Sequence, residues 1–263
     1  MHDTDKTWKY FGETDPYFGV LTQQDFTSER MTEAGRAQFF ESGKRYIDFV
    51  LQVVRDHLSP GFSPRRALDF GCGVGRLTLP LAAICESVVG VDVSEPMLAE
   101  SRKNAAERGA TNVSFVPGDD ALSAVEGTFD LLNSLIVFQH IPPERGERIV
   151  QQLVGRLREG GVGALQFTYA FESGVSRSRT MLVEAYKTVP YLWNARNLVK
   201  GRPFQEPMMQ MNQYSLNRLL RILQENGCHL AHLRFTETGS FGQKFYGVII
   251  FFQKKSLDTA AHA

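Results

Sequence analysis

The residues best suited to chemistry are Asp69-Phe70-Gly71-Cys72-Gly73-Val74-Gly75 and, 21 positions after Gly71, Asp92. Ala67 and Leu68 lead into the first group and a helical pattern opens near Arg76, so the glycines fall in a strand-to-helix turn. Glycine there allows a tight turn and lets a ligand approach the backbone, while the helix start offers free N–H groups. Asp92 ends the next apolar run, where a carboxylate can accept hydrogen bonds from ribose hydroxyls. Together they point to an adenosine-containing ligand at the carboxyl edge of a parallel sheet.

Charge narrows the ligand. A dinucleotide lays its pyrophosphate over such a loop, with Gly-x-Gly-x-x-Gly spacing and no acid beside it. Here the third glycine, Gly75, comes one residue early and Asp69 stands at the loop entrance. A carboxylate there repels a pyrophosphate and attracts an ammonium or a sulfonium. S-adenosylmethionine carries both cations and no phosphate.

Asp69-Phe-Gly-Cys-Gly-Val-Gly75 resembles the first motif of the class I S-adenosylmethionine-dependent methyltransferases, and Val89-Gly-Val-Asp92-Val-Ser-Glu-Pro-Met97-Leu resembles their second. The resemblance covers roughly residues 65–168; the last helix and two strands match in pattern only. It implies that Asp69 acts on the methionine ammonium through its neighbourhood, and that Gly71, Cys72, Gly73 and Gly75 line that end of the cofactor. Asp92 takes the ribose, and Val93 and Met97 pack on the adenine. Pro117-Gly118-Asp119-Asp120-Ala121 matches the segment whose acid accepts from the adenine amino group, with Asp119 placed first and Asp120 second.

Patterning supplies the elements that must position these residues. Apolar residues recur at helical spacing over 37–58, and Ser59-Pro60-Gly61 stops them. Then short β-rich runs at 66–70, 88–92, 113–116, 129–135 and 162–168 alternate with helical patterns at 77–85, 95–108 and 142–158. This alternation predicts an α/β, doubly wound, mostly parallel sheet with helices on both faces. A helix over 216–226 and strands over 229–235 and 245–252 complete seven strands, the last antiparallel. Residues 1–35 are polar, rich in aromatics and without a clean period, a surface layer or a lid. Residues 36–168 form the cofactor-binding core, 169–211 a cap insertion of helical pieces that includes Arg177, Arg179 and Lys187, and 212–263 the closing helix and strand pair.

His140 follows the strand over 129–135 and precedes a helix, a position suited to a general base for a hydroxyl acceptor. Its alternative is a packed residue bonded to backbone. The chain lacks an Asn/Asp-Pro-Pro-aromatic motif after that strand and shows no metal-ligand spacing, so metal-independent O-methylation of a small-molecule or carbohydrate-like acceptor is expected. An NAD-dependent oxidoreductase and a non-catalytic S-adenosylmethionine binder are the alternatives. Twenty-nine basic residues balance 29 acidic ones, from which no nucleic-acid partner is expected. Three scattered cysteines, a polar start and no long apolar run predict a cytoplasmic protein with no membrane partner; oligomeric state is unknown.

Overall fold

The structure, a computed structural model, describes residues 4–173, 186, 189–240 and 243–255. Its chain order is α1 (Thr4–Thr14), α2 (Pro16–Val20), a short 3-10 turn, α3 (Glu33–His57), β1 (Arg66–Phe70), α4 (Thr78–Ala82), β2 (Ser87–Asp92) and α5 (Glu95–Glu107). β3 (Val113–Pro117), β4 (Phe129–Ser134), a 3-10 turn over Phe138–His140, α6 (Pro143–Gly155) and β5 (Leu157–Ser173) follow. The remainder holds α7 (Pro190–Val199), α8 (Leu216–Glu225), β6 (Leu230–Ser240) and β7 (Gln243–Gln253).

The seven strands form one sheet in the order β3-β2-β1-β4-β5-β7-β6. β1 to β5 are mutually parallel where they pair, and β7 runs antiparallel to both β5 and β6. The order reverses between β1 and β4, and the crevice at their carboxyl ends is where this architecture binds ligands.

Both faces of the sheet are buried, which explains why its central strands read as near-continuous apolar runs. Leu68, Leu132, Leu165, Val248, Ile250 and Phe252 pack on one face with Ile149 and Leu153 of α6 and Leu219 and Leu223 of α8. Ala67, Leu131, Ala164, Ile249 and Phe251 point the other way, against Ile47, Val50 and Val54 of α3. The two-residue alternation along β7 therefore serves two cores. A third apolar cluster joins Phe11, Phe26, Phe39, Met97 and Leu98, and it seats the N-terminal segment on α5.

The strand count, the mostly parallel sheet and the antiparallel last strand agree with the sequence, but several boundaries differ. Residues 4–14 and 16–20 are helical although no period showed; helices this short are held by tertiary packing, and the face that α1 buries is Thr4, Thr7, Phe11 and Gly12, mostly polar or small residues that make no apolar stripe. The helix expected to run to 158 ends at Gly155, because Leu157 already pairs with Phe129. The ladder then shifts register before Leu131 meets Val162, and Gly160 (φ +76°) absorbs the extra residues. β5 continues to Ser173, paired with β7, so the expected insertion begins as strand. Its helical piece is α7; Arg177, Arg179 and Lys187 lie outside the described residues.

Gly43 lets α3 approach the glycine loop. A Cβ there would stand 2.1 Å from the backbone oxygen of Arg76. Alanine normally gains about 1 kcal/mol over glycine within a helix, whereas overpacking against immobile backbone costs about 1–3 kcal/mol. Gly43→Ala is therefore expected to lower stability, by up to about 2 kcal/mol after the two effects are set against each other, as measured by urea unfolding.

Candidate functional site

Beyond the carboxyl ends of β1, β2 and β4 lies a largely apolar cavity. Phe70, Gly71, Val91, Asp92, Val93, Met97, Gly118 and Asp119 line one part of it. Ile136, Val137, His140, Ile141 and Arg145 line another, and Thr4, Asp5, Trp8, Gly19 and Val20 cover it from α1 and α2. It holds about 790 Å³ of empty space, a figure that includes open solvent.

The glycine loop has its shape for two reasons. Gly71 (φ +73°) and Gly73 (φ +52°) occupy the left-handed region that L side chains avoid. A Cβ on Gly71 would meet Val137 at 2.3 Å, and one on Gly73 would meet Val20 at 2.5 Å. These close approaches press the loop between the end of α2 and the segment after β4. Any larger residue at Gly71 would displace Val137 from the cavity wall.

Asp92 closes the loop from the neighbouring strand. One of its oxygens accepts from the N–H of Gly73 (2.9 Å) and the other from the N–H of Ser94 (2.9 Å), just before α5. Burial pushes its carboxyl up to about 6, against the pull of these backbone donors. Asp69 is buried behind the loop, accepting from the Thr78 hydroxyl (2.7 Å) and the Asn133 amide (2.9 Å). Burial raises its pKa too; those two donors and Arg76 oppose the shift.

The loop after β3 brings two further acids to the cavity. Asp119 accepts from the N–H groups of Ala121 (3.1 Å) and Ser123 (2.9 Å), which holds its carboxyl below the usual range. Asp120 accepts from Nε of Arg145 (2.6 Å), whose guanidinium also makes a two-pronged contact with Asp5 of α1 (2.7 and 3.1 Å). With both carboxylates about 40% exposed, each arm contributes no more than about 1 kcal/mol.

His140 is buried at the wall of the cavity. Its Nδ1 lies 2.7 Å from the carbonyl oxygen of Gln210; a carbonyl only accepts, so Nδ1 carries the proton. Nε2 then presents a lone pair, 3.1 Å from the Gln139 amide nitrogen. Burial pushes the imidazole down to about 4, so it is neutral near pH 7. The Trp8 ring packs on it edge to face at 4.8 Å, and Thr4 Oγ1 donates to its backbone oxygen (2.8 Å).

Gly71, Asp92, Val93, Met97, Asp119, Asp120 and His140, all singled out in the sequence, thus meet around one cavity. Asp69, Cys72, Gly73 and Gly75 do not line it. Cys72 is buried, and that burial raises its thiol pKa well above the ordinary value. Sequence reasoning missed Asp5, Ile136 and Arg145, and met Trp8 only as one aromatic of the surface layer or lid over residues 1–35. Ile136 adopts φ +62°, rare for a β-branched residue, and its N–H donates to Gln166 Oε1 (3.0 Å). Arg145 did carry a signal: a cation in the first turn of a helix opposes the helix dipole and needs a nearby anion.

A family model described as a methyltransferase domain matches residues 67–161. Among curated proteins, the chain is 34% identical over 104 residues to a 23S rRNA uracil-C(5)-methyltransferase, RlmD, of Burkholderia pseudomallei, covering 38% of this chain and 22% of that one. RlmD of Marinomonas posidonica is 44% identical over 66 residues, covering 25% and 15%. The chain therefore spans about a fifth of the length of these relatives.

Among solved structures, magnesium protoporphyrin IX methyltransferase (ChlM) from Synechocystis, with bound SAH, superposes with a TM-score of 0.61 at 21% identity, covering 96% of this chain and all of that one. A phosphoethanolamine N-methyltransferase of Haemonchus contortus gives 0.62 at 14% identity, covering 97% and 61%. These likenesses establish the Rossmann-like fold. The methyltransferase domain matched over residues 67–161, and the SAH and SAM bound in the Synechocystis structures, agree with the S-adenosylmethionine-dependent methyltransferase resemblance read from the sequence.

The expected exclusion of a nucleic-acid partner is corrected by the relatives, which are named as acting on 23S rRNA. Net charge is a sum over the whole surface and says nothing of a local patch.

The raised carboxyl of Asp92 gives a signed pH effect. Its ordinary value is 3.8 and its folded value about 6. Between these limits the folded chain holds more protons than the unfolded chain. This contribution is full below about pH 4 and lost as pH rises through about 6. Asp92→Asn should therefore gain stability relative to wild type across that window, by at most about 3 kcal/mol, as read from urea unfolding at a series of pH values.

Proposed function

We propose that the chain transfers a methyl group from S-adenosylmethionine to an oxygen of a small acceptor, without a metal, in the cytoplasm. The observation that carries the reading is the convergence of Gly71, Asp92, Asp119 and His140 on one cavity covered by α1 and α2. Bound S-adenosylmethionine supplies an electrophilic methyl on a sulfonium, which leaves as a neutral thioether. The protein's part is to align the acceptor, exclude water and receive a proton; alignment alone can be worth about 7–11 kcal/mol.

The residues divide this work. Asp92 takes the ribose hydroxyls, Val93 and Met97 pack on the adenine, and Asp119 takes the adenine amino group. The backbone of the glycine loop receives the methionine end, and Asp69 acts there through its field, since its oxygens are bonded to Thr78 and Asn133. The Trp8 and Ile136 side chains exclude water. His140 accepts the acceptor's proton at Nε2 once the Gln139 amide swings aside. A base with a pKa near 4 suffices, because the hydroxyl becomes strongly acidic only as the new O–C bond forms.

Two observations favour a small acceptor. The lining is mostly apolar, and among the described lining residues the single Lys or Arg is Arg145, already paired with two carboxylates. The Synechocystis and Haemonchus structures, aligned over nearly the whole chain, are methyltransferases named for magnesium protoporphyrin IX and for phosphoethanolamine. A second reading, an RNA acceptor, is favoured by the names of the curated relatives. Three free, buried cysteines suit a reducing compartment, and among the described residues no helix is long and apolar enough to cross a membrane.

Incubating the protein with methyl-labelled cofactor and separate panels of hydroxylated metabolites and rRNA tests both readings. Label in a metabolite ether supports the first, label in rRNA replaces it with the second, and label in neither removes the transfer. On the labelled acceptor, His140→Gln is expected to lower kcat by about 10²-fold or more, with cofactor affinity within about twofold of wild type because His140 is assigned no bond to it. An unchanged kcat returns His140 to a packing role.

A further inference from the structure

Arg145 stands in the first turn of α6, where the positive end of the helix dipole disfavours a cation. Two carboxylates from separate parts of the chain hold it there. Its Nη1 and Nη2 donate to the two oxygens of Asp5 on α1, and its Nε donates to Asp120 on the loop after β3. That loop lines the cavity through Gly118, Asp119 and Asp120. On α1, Trp8 lies one turn from Asp5, so the two share a face, and its ring rests on His140.

From this geometry we infer that Arg145 is a positioning residue: a latch that holds α1 over the cofactor by bridging Asp5 to Asp120. The inference rests on the proposed function for the identity of what is held. A planar guanidinium fixes two carboxylates at a set angle, so a shift of the Asp120 loop is carried to Asp5. Releasing the cofactor requires the Asp5 contact to break and Trp8 to leave His140. Tyr17 of α2 remains bonded to Glu100 (2.7 Å) and Asn104 (2.9 Å) of α5, which anchors the far end of the segment. Partial exposure of both carboxylates leaves the bridge open to screening by salt, so it can open without unfolding the core. The latch thereby couples the loop assigned to the adenine to the wall assigned to the acceptor.

Trp8 reports on the latch directly. The chain has two tryptophans, so Trp193→Phe leaves one fluorophore. In that background Asp5→Asn and Asp120→Asn are compared with their parent in two measurements: acrylamide quenching of Trp8 without ligand, and the dissociation rate of S-adenosylhomocysteine by stopped flow. The variants are expected to raise quenching about twofold and the dissociation rate about tenfold, with an unchanged urea midpoint. Asp5→Glu should restore most of both. If either Asn variant disturbs folding, Arg145→Lys, which keeps the charge and loses the fork, decides by the same readouts. Quenching and dissociation equal to the parent's overturn the latch alone. A parent that binds no S-adenosylhomocysteine overturns the proposed function and the assignment of what the latch holds.

Discussion

The Asp92 carboxylate, shared between the N–H groups of Gly73 and Ser94, is the interaction on which the site depends. It joins the loop after β1 to the start of α5 across the end of β2, fixing two cavity walls with one side chain. The arrangement is strained in charge, because the carboxylate is held in surroundings that favour its neutral form. A ligand hydroxyl donating to it would relieve that strain. In the proposed function, loop geometry and ligand affinity are thus two uses of one group.

The rest of the sheet makes this possible. Parallel pairing of β1 with β2 and of β2 with β3 puts Phe70, Asp92 and Pro117 at the same edge, where their loops face one another. β4 ends beside them, and the chain then turns through Ile136 in a left-handed conformation worth about 1–3 kcal/mol of strain. The Gln166 side chain on β5 holds that turn through the Ile136 N–H. Strain here places Val137 against Gly71 and carries the chain on to His140. Gln210 and Asn212, from the segment before α8, then fix the His140 ring and the Gln139 carbonyl.

The N-terminal helices change the chemistry the cavity can support. Without them the glycine loop and Asp92 would face open water. Val20 on Gly73, Trp8 on His140 and Asp5 on Arg145 shut three sides using residues from one short stretch of chain. Each contact is modest, and the segment relies on the third apolar cluster for its seat. A cover held this way is firm enough to exclude solvent and weak enough to open.

The sequence by itself determined the sheet and the strand, turn and helix start that bring Gly71 and Asp92 to one cavity edge. Strand-to-helix alternation specified seven strands, and Asp69, Gly71, Gly73 and Asp92 carried their meaning in local spacing, because a strand, a tight turn and a helix start are local structures. Tertiary structure alone decided the rest. Nothing near Asp69 in sequence shows that Asn133, 64 positions away, occupies one of its oxygens. Nor does anything near Trp8 show that it meets His140, or anything near Asp5 that Arg145 lies 140 positions on. α1 lacks a readable stripe because the face it buries is Thr4, Thr7, Phe11 and Gly12, in which one residue alone is strongly apolar. The cover, the latch and the surroundings of His140 are long-range contacts, and long-range contacts leave no period in the chain.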